Sequence, residues 1–108
     1  MKFYITGRKK EMLIIGGENV FPREIEEVLD RHPAIRASAV IGKHDPNRGE
    51  VPVAFVELCD DHPYDETDVR THLRQHIAPF KVPKDIRVID ELPRNPTGKI
   101  LRRQLNAD

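Results

Sequence analysis

One cysteine, Cys59, is too few for an internal disulfide in a chain of 108 residues and fits a reducing cytosol. Long apolar runs are also missing. Nothing approaches the roughly 20 consecutive apolar residues of a membrane span, and the opening "MKFYITGRKK" lacks the apolar stretch of a secretory signal. A soluble, cytoplasmic protein is the expectation. Aromatic residues are scarce, at 6% of the chain, so the core is expected to be small and its stability modest. Net charge is absent too: 18 basic side chains balance 18 acidic ones, which removes strong polyanion binding as the default.

That balance is uneven along the chain. From Arg70 to Arg103 the basic residues outnumber Asp85, Asp90 and Glu91, so a basic surface suited to a small anionic ligand or a nucleic acid is expected in the last third. Nucleic acid is the weaker partner. Tyr4, Tyr64 and the four phenylalanines are scattered as stacking groups, and no nucleic-acid motif accompanies them.

The length suits one domain. "KFYIT" and "MLIIGG" read as two strands joined by the polar "GRKKE". Pro22 fits the first position of a helix whose face carries Ile25, Val28 and Leu29, and Pro33 ends it. "AIRASAVIG" alternates as a strand with Ile35, Ala37, Ala39 and Ile41 on one side. The turn "KHDPNRGE" leads to "VPVAFVEL", a second strand antiparallel to it because the connection is short. Asp65 caps a helix with Val69, Leu73 and Ile77 on its buried stripe. "DIRVID" reads as a strand and "KILRRQL" as a final short helix. The expected fold is α+β, a small mixed sheet with packed helices in the order ββ-α-β-β-α-β-α.

Most single motifs carry little. His72 and His76 have the spacing of two metal ligands on a helix, but no third ligand and no HExxH pattern joins them, so no metal is expected. His32, His44 and His62 neighbour turns without a pattern. "IIGGENVFP" could present bare backbone N–H groups through Gly16 and Gly17, yet it is neither GxxxxGK[ST] nor GxGxxG, and a tight turn needing positive φ explains it alone. "GRKKE", taken alone, is a solvated turn. "ELPRNPTGKILRRQL" is more specific: Pro93 and Pro96 restrict a loop in which Gly98 precedes Lys99. Such a loop lowers the entropy cost of holding one ammonium group in place, as an electrostatic catalyst requires. Local sequence leaves open a capped helix start with an exposed lysine.

In combination the segments identify a family. "GRKKEMLIIGGENVFPREIEEVL" resembles the opening of the C-terminal domain of AMP-forming acyl-CoA synthetases, and "PFKVPKDIRVIDELPRNPTGKILRRQL" resembles its close. "VIGKHDPNRGEVPVAFV" matches the strand-turn-strand between them, so the likeness runs from about Phe3 to Leu105. The resemblance implies an acid–thiol ligase of the adenylate-forming superfamily. A carboxylic acid, expected to be a fatty acid, is first adenylated by ATP; the thiol of CoA then displaces AMP. It implies that Lys99 serves the first step and that the domain then rotates to form a CoA tunnel. Arg8 matches the arginine that contacts the nucleotide ribose, and Lys10 the hinge. Gly16 and Gly17 match the loop flanking the pantetheine channel, while Phe80 and Lys81 fall where relatives meet the CoA nucleotide. Val82 departs from the family, which often has a cation there.

The expected organisation is a strand stub and hinge over residues 1–10 and a mobile lid over 11–108. Its partner would be an N-terminal adenylation domain, which holds the ATP-phosphate loop, the acyl pocket and Mg²⁺. Without that domain the chain is expected to be inactive, an excised domain or a fragment. "PRNPTGK" also resembles the context in which bacterial acetyltransferases modify the family's lysine, which makes Lys99 an acetylation candidate whose charge would be lost. Two other readings are an adenylation domain that loads a carrier-protein thiol, and a freestanding basic interaction module.

Overall fold

A two-residue turn lies near the start of the described part of the chain, residues 12–106 of the computed structural model. Strands β1 (Leu13–Ile15) and β2 (Glu18–Val20) pair antiparallel on either side of Gly16 and Gly17. These glycines adopt φ of +57° and +84°. Positive φ at both central positions is the requirement of a type I′ hairpin, and glycine meets it without steric cost. The turn reading of the two glycines is therefore correct, but it joins two strands instead of a strand and a helix. The strand expected in "KFYIT" lies outside the described residues.

Helix α1 (Pro22–Asp30) begins on Pro22 and buries Ile25, Val28 and Leu29. Strands β3 (Ile35–Asp45) and β4 (Gly49–Leu58) form the long antiparallel hairpin. Its tight turn is held by the Asp45 carboxylate, which accepts the N–H groups of Asn47 (3.1 Å) and Arg48 (2.8 Å). Helix α2 (Glu66–His76) is capped as expected: Asp65 Oδ1 accepts the Thr67 N–H at 3.0 Å. Strand β5 (Asp85–Val88) then pairs parallel to β4. β4 is central, with β3 on one edge and β1 and β5 sharing the other. The sheet is mixed and the fold α+β.

Both faces of this sheet are covered. On one, Ile25, Leu29, Val69 and Leu73 from the helices pack with Ile15, Val40, Ala54 and Val56. On the other, Ala39, Val53 and Phe55 meet Leu92, with Ile89, Ile100 and Leu105 against them. Burial on both sides explains why β4 reads as a continuous apolar run. Each fully buried Leu, Ile or Val contributes on the order of 1.5–3 kcal/mol, which outweighs the helical propensity of short segments.

Two sequence expectations need correction. Ile35 does not share a face with Ala37, Ala39 and Ile41, because the β3–β4 register shifts between Ile35 and Ala37 and sends Ile35 to the helix side. "KILRRQL" is not an α-helix: only Arg102–Gln104 form a 3₁₀ turn, and Ile100 makes a bridge to Arg94. Ile100 and Leu105 pack on the sheet while Arg102 reaches α1, an arrangement that one helical turn cannot satisfy.

His32 is a structural residue. It is buried, its Nδ1 accepts the Ala34 N–H at 3.0 Å and its Nε2 lies 2.7 Å from Asp68 of α2. Among the described residues no helix is long and apolar enough to cross a membrane.

Candidate functional site

Lys99 sits on a loop wired by Asn95. The Asn95 side-chain oxygen accepts the N–H of Thr97 (3.1 Å), the Thr97 hydroxyl (2.7 Å) and the Lys99 N–H (2.9 Å). The Asn95 N–H donates to the Lys99 carbonyl at 2.9 Å, and its carbonyl accepts the Gly98 N–H at 2.9 Å. Gly98 adopts φ of +90°, a conformation that disfavours a β-carbon. Both backbone polar groups of Lys99 are thus fixed, while its side chain is exposed and has no ion-pair partner among the described residues. Prolines and Gly98 were the expected stiffening elements. Asn95 was missed, although Asn-Pro before a glycine is the signature of a side-chain-stabilised turn.

Two buried carboxylates hold the limbs of this loop. On the incoming limb, Glu57 of β4 is 3% exposed and accepts the Leu92 N–H (2.6 Å), Arg94 Nη1 (2.8 Å) and Arg36 Nε (3.3 Å). Arg94 bridges to Ile100, and the Leu101 N–H donates to the Pro93 carbonyl at 2.8 Å, so the limbs are tied to each other. On the outgoing limb, Arg102 Nε donates to Glu26 Oε2 at 2.6 Å, and its Nη2 pairs with Glu26 Oε1. Glu26 also accepts the Val40 N–H at 2.8 Å, covering a donor on the outer edge of β3. A groove of about 610 Å³ runs along the loop, lined by Leu13, Val40, Ile41, Asn95, Lys99 and Arg102 among others.

Glu57 titrates with opposite sign to Asp30. Burial pulls the Glu57 carboxyl upward, but Arg94, the Leu92 N–H and Arg36 outweigh it and hold it below its usual value. Burial pushes Asp30 up, its Ser38 hydrogen bond offsetting this in part and nearby Glu26 adding to it. A depressed carboxyl stabilises the fold above the ordinary carboxylate range, and that contribution is lost as pH falls through the folded value. A raised one contributes most at low pH and loses it as pH rises. Urea unfolding should therefore show Glu57→Gln weaker than wild type by about 2 kcal/mol at neutral pH, the cost of a charged hydrogen bond. The gap should close below about pH 4. Asp30→Asn should show no loss at neutral pH. A Glu57→Gln gap that persists unchanged into acid would contradict the assigned ionisation.

The remaining candidates form a second patch. The Gly16 N–H donates to the Arg48 carbonyl (2.8 Å), and Arg48 Nη2 donates to the Phe80 carbonyl (2.9 Å), which joins the glycine turn to the Phe80–Lys81 turn. Lys81 lies 5.7 Å from the centroid of the Phe80 ring and donates to Glu24 at 2.6 Å. Val82, where a cation was looked for, packs against the helix-side core. Glu24 and Glu26 are two residues apart on α1, about 200° around a helix, so one reaches Lys81 and the other Arg102. The helix thereby stands between the two patches. Arg8 and Lys10 lie outside the described residues.

His72 Nε2 and His76 Nδ1 each lie 2.8 Å from a backbone carbonyl, those of Val28 and His72. Among the described residues no three His, Cys, Asp or Glu side chains gather to hold a metal ion.

Comparison with known proteins adds the family. The AMP-binding enzyme C-terminal domain matches residues 24–99. Sulfoacetate–CoA ligase of Cupriavidus necator is 45% identical over 103 residues, 95% of this chain and 20% of that protein. The fatty acid–[acyl-carrier-protein] ligase ScoC of Streptomyces coeruleorubidus is 42% identical over 102 residues, 94% of this chain and 20% of that protein. A solved o-succinylbenzoate CoA synthetase from Bacillus subtilis, in complex with its acyl-adenylate intermediate, aligns with a TM-score of 0.86 at 36% identity. That alignment covers 93% of this chain and 20% of the synthetase. The chain spans about a fifth of the length of the curated relatives it matches. With the match extending over most of its length, the chain belongs to the AMP-binding enzyme C-terminal domain family.

Proposed function

We propose that this chain is the C-terminal lid of an AMP-forming acid–CoA ligase, with a hinge in residues 1–10 at Lys10 and the mobile domain in 11–108. The observation that carries the reading is Lys99: a backbone pinned on both sides by Asn95, and an exposed ammonium with no ion-pair partner among the described residues. In the first step a carboxylate oxygen attacks the α-phosphorus of ATP. An acyl–oxygen–phosphorus linkage forms, and the bond from that phosphorus to pyrophosphate breaks. Two anions must meet, so a cation fixed in advance lowers the barrier where charge accumulates. Arg8 serves the ribose.

After the lid rotates, the CoA sulfur attacks the acyl carbon, its proton is lost, and AMP leaves with the oxygen. Gly16 and Gly17 flank the thiol's channel, where a side chain would obstruct it. Phe80 and Lys81 meet the CoA nucleotide. For Lys81 to take a CoA phosphate its pair with Glu24 must open, which costs little because both side chains are partly exposed. The metal that accompanies ATP is assigned to the N-terminal domain together with the acyl pocket. The relatives act on acids as different as sulfoacetate and fatty acids and load both CoA and a carrier. A fatty acid with CoA is the first pair to try, in a cytoplasmic enzyme.

The full-length protein, given a panel of acids, ATP and either CoA or a carrier protein, should release AMP and pyrophosphate and form one acyl-CoA per AMP. The 108 residues alone should form no acyl-adenylate. Release of ADP, or thioester formed only on the carrier, would overturn the assignment.

A further inference from the structure

We infer that Glu57 is a positioning residue for Lys99: a buried carboxylate on the central strand that holds the lysine's loop in the geometry adenylation needs. This rests on the reading of Lys99 given above and extends it to a residue outside the loop. Three features of the structure carry it.

The first is location. Glu57 projects from β4, the strand paired to β1, β3 and β5, so its carboxylate is carried by the central strand of the sheet. It lies on the side covered by Leu92, Ile100 and Leu105, the residues that bracket the Lys99 loop.

The second is saturation. One oxygen accepts the Leu92 N–H and Arg94 Nη1; the other receives Arg94 Nη2 and Arg36 Nε, each at 3.3 Å. A nearly dry carboxylate with four donors has no role toward solvent, and breaking it leaves the buried Leu92 N–H unmatched and frees Arg94 from its anchor.

The third is a short mechanical path. Arg94 is bridged to Ile100, the Pro93 carbonyl takes the Leu101 N–H, and Lys99 lies between these ties and Asn95. The Asn95 turn fixes the loop's internal shape; Glu57 fixes its incoming limb to the body of the domain, as Glu26 fixes the outgoing one. Without the Glu57 tie the turn would keep its shape and shift with the incoming limb. A displacement of about 1 Å at a reacting centre can cost roughly 100-fold in rate.

The test separates placement from folding. In the full-length ligase, adenylation is followed by pyrophosphate release, and thioester formation separately from supplied acyl-adenylate. Glu57→Gln and Arg94→Gln should each slow adenylation about tenfold or more, mainly in kcat, and leave the thioester step within about twofold. Arg94→Lys, which keeps the charge, should recover part of the loss. Glu57→Gln combined with Lys99→Ala should be no slower than Lys99→Ala alone, since a displaced loop cannot matter once the ammonium is gone.

Hydrogen exchange on the 108-residue chain gives an independent readout: protection of the Leu92 N–H, which Glu57 accepts, should fall in Glu57→Gln about tenfold further than that of Val56, whose own fall reads the loss of global stability. Normal adenylation in Glu57→Gln beside a crippled Lys99→Ala would overturn the inference and leave the role of Lys99 standing. An equal fall in both half-reactions would reduce Glu57 to a folding residue and overturn it too. Should Lys99→Ala itself adenylate normally, the reading of Lys99 fails and takes this inference with it.

Discussion

Lys99→Ala in the full-length ligase is expected to lower acyl-adenylate formation by about 10²–10³-fold, equivalent to about 2.7–4 kcal/mol of transition-state stabilisation. The size follows from the loop. An ammonium on a free tail would lose much of its electrostatic gain to the entropy of placing it, whereas here both backbone polar groups of Lys99 are bonded to Asn95 before substrate arrives. Stability should barely respond, within about 0.5 kcal/mol, because the side chain is exposed and makes no ion pair among the described residues. The rate loss therefore cannot be attributed to unfolding. Thioester formation from supplied acyl-adenylate should stay near the wild-type rate, since the lysine is assigned to the first step alone. Lys99→Arg should not restore adenylation: a planar fork delivers its charge at a different reach and angle. Measured pyrophosphate release within threefold of wild type in Lys99→Ala would leave the lysine without a catalytic role.

How much of this could be read from residue order depends on the range of the interaction. Pro22 starting α1, Asp65 capping α2 and the run Val51–Val56 in β4 are local signals, and the structure agrees with each. The final helix failed because its periodicity is outbid by tertiary contacts: Arg94 captures Ile100, the sheet buries Ile100 and Leu105, and Glu26 captures Arg102. Ile35 was assigned to the wrong face because one bulge reverses the parity of a strand, and a bulge leaves no mark on alternation. The site divides in the same way. Lys99 and the glycine turn stand out in sequence, whereas Glu26, Glu57 and His32 look like ordinary surface residues. Their partners lie 76, 37 and 36 positions away, at Arg102, Arg94 and Asp68. Only the fold makes their burial visible.

Glu26 should therefore behave as a core residue despite its charge, and Glu26→Ala is expected to destabilise the 108-residue chain by about 3–5 kcal/mol in urea unfolding. Truncation acts on two groups at once: it takes the Glu26 pair from the largely buried Arg102 guanidinium and leaves the Val40 N–H on the outer edge of β3 without its acceptor. An unsatisfied buried donor alone costs about 1–3 kcal/mol, and the loss of the two-point Glu26–Arg102 pair accounts for the rest. Against a domain stability of about 5–15 kcal/mol such a loss leaves a marginal fold. Glu26→Gln should fall between, because its amide oxygen can still accept the Val40 N–H while its contact with Arg102 loses the carboxylate charge. Glu24→Ala is the internal comparison. It removes the same carboxylate from the same helix two residues earlier, but its pair with Lys81 is about one-third exposed, and pairs of that kind are worth about 0–1 kcal/mol. Glu24 also accepts the Phe21 N–H at 3.3 Å as the third residue of the helix, so its truncation carries a cap cost that Glu26 does not, and the comparison understates the difference between them. A large loss at Glu26 beside a small one at Glu24, despite that cap, then arises from burial and the two partners. Equal losses would mean that the outgoing limb of the Lys99 loop is held by its apolar contacts, Ile100 and Leu105, and not by charge.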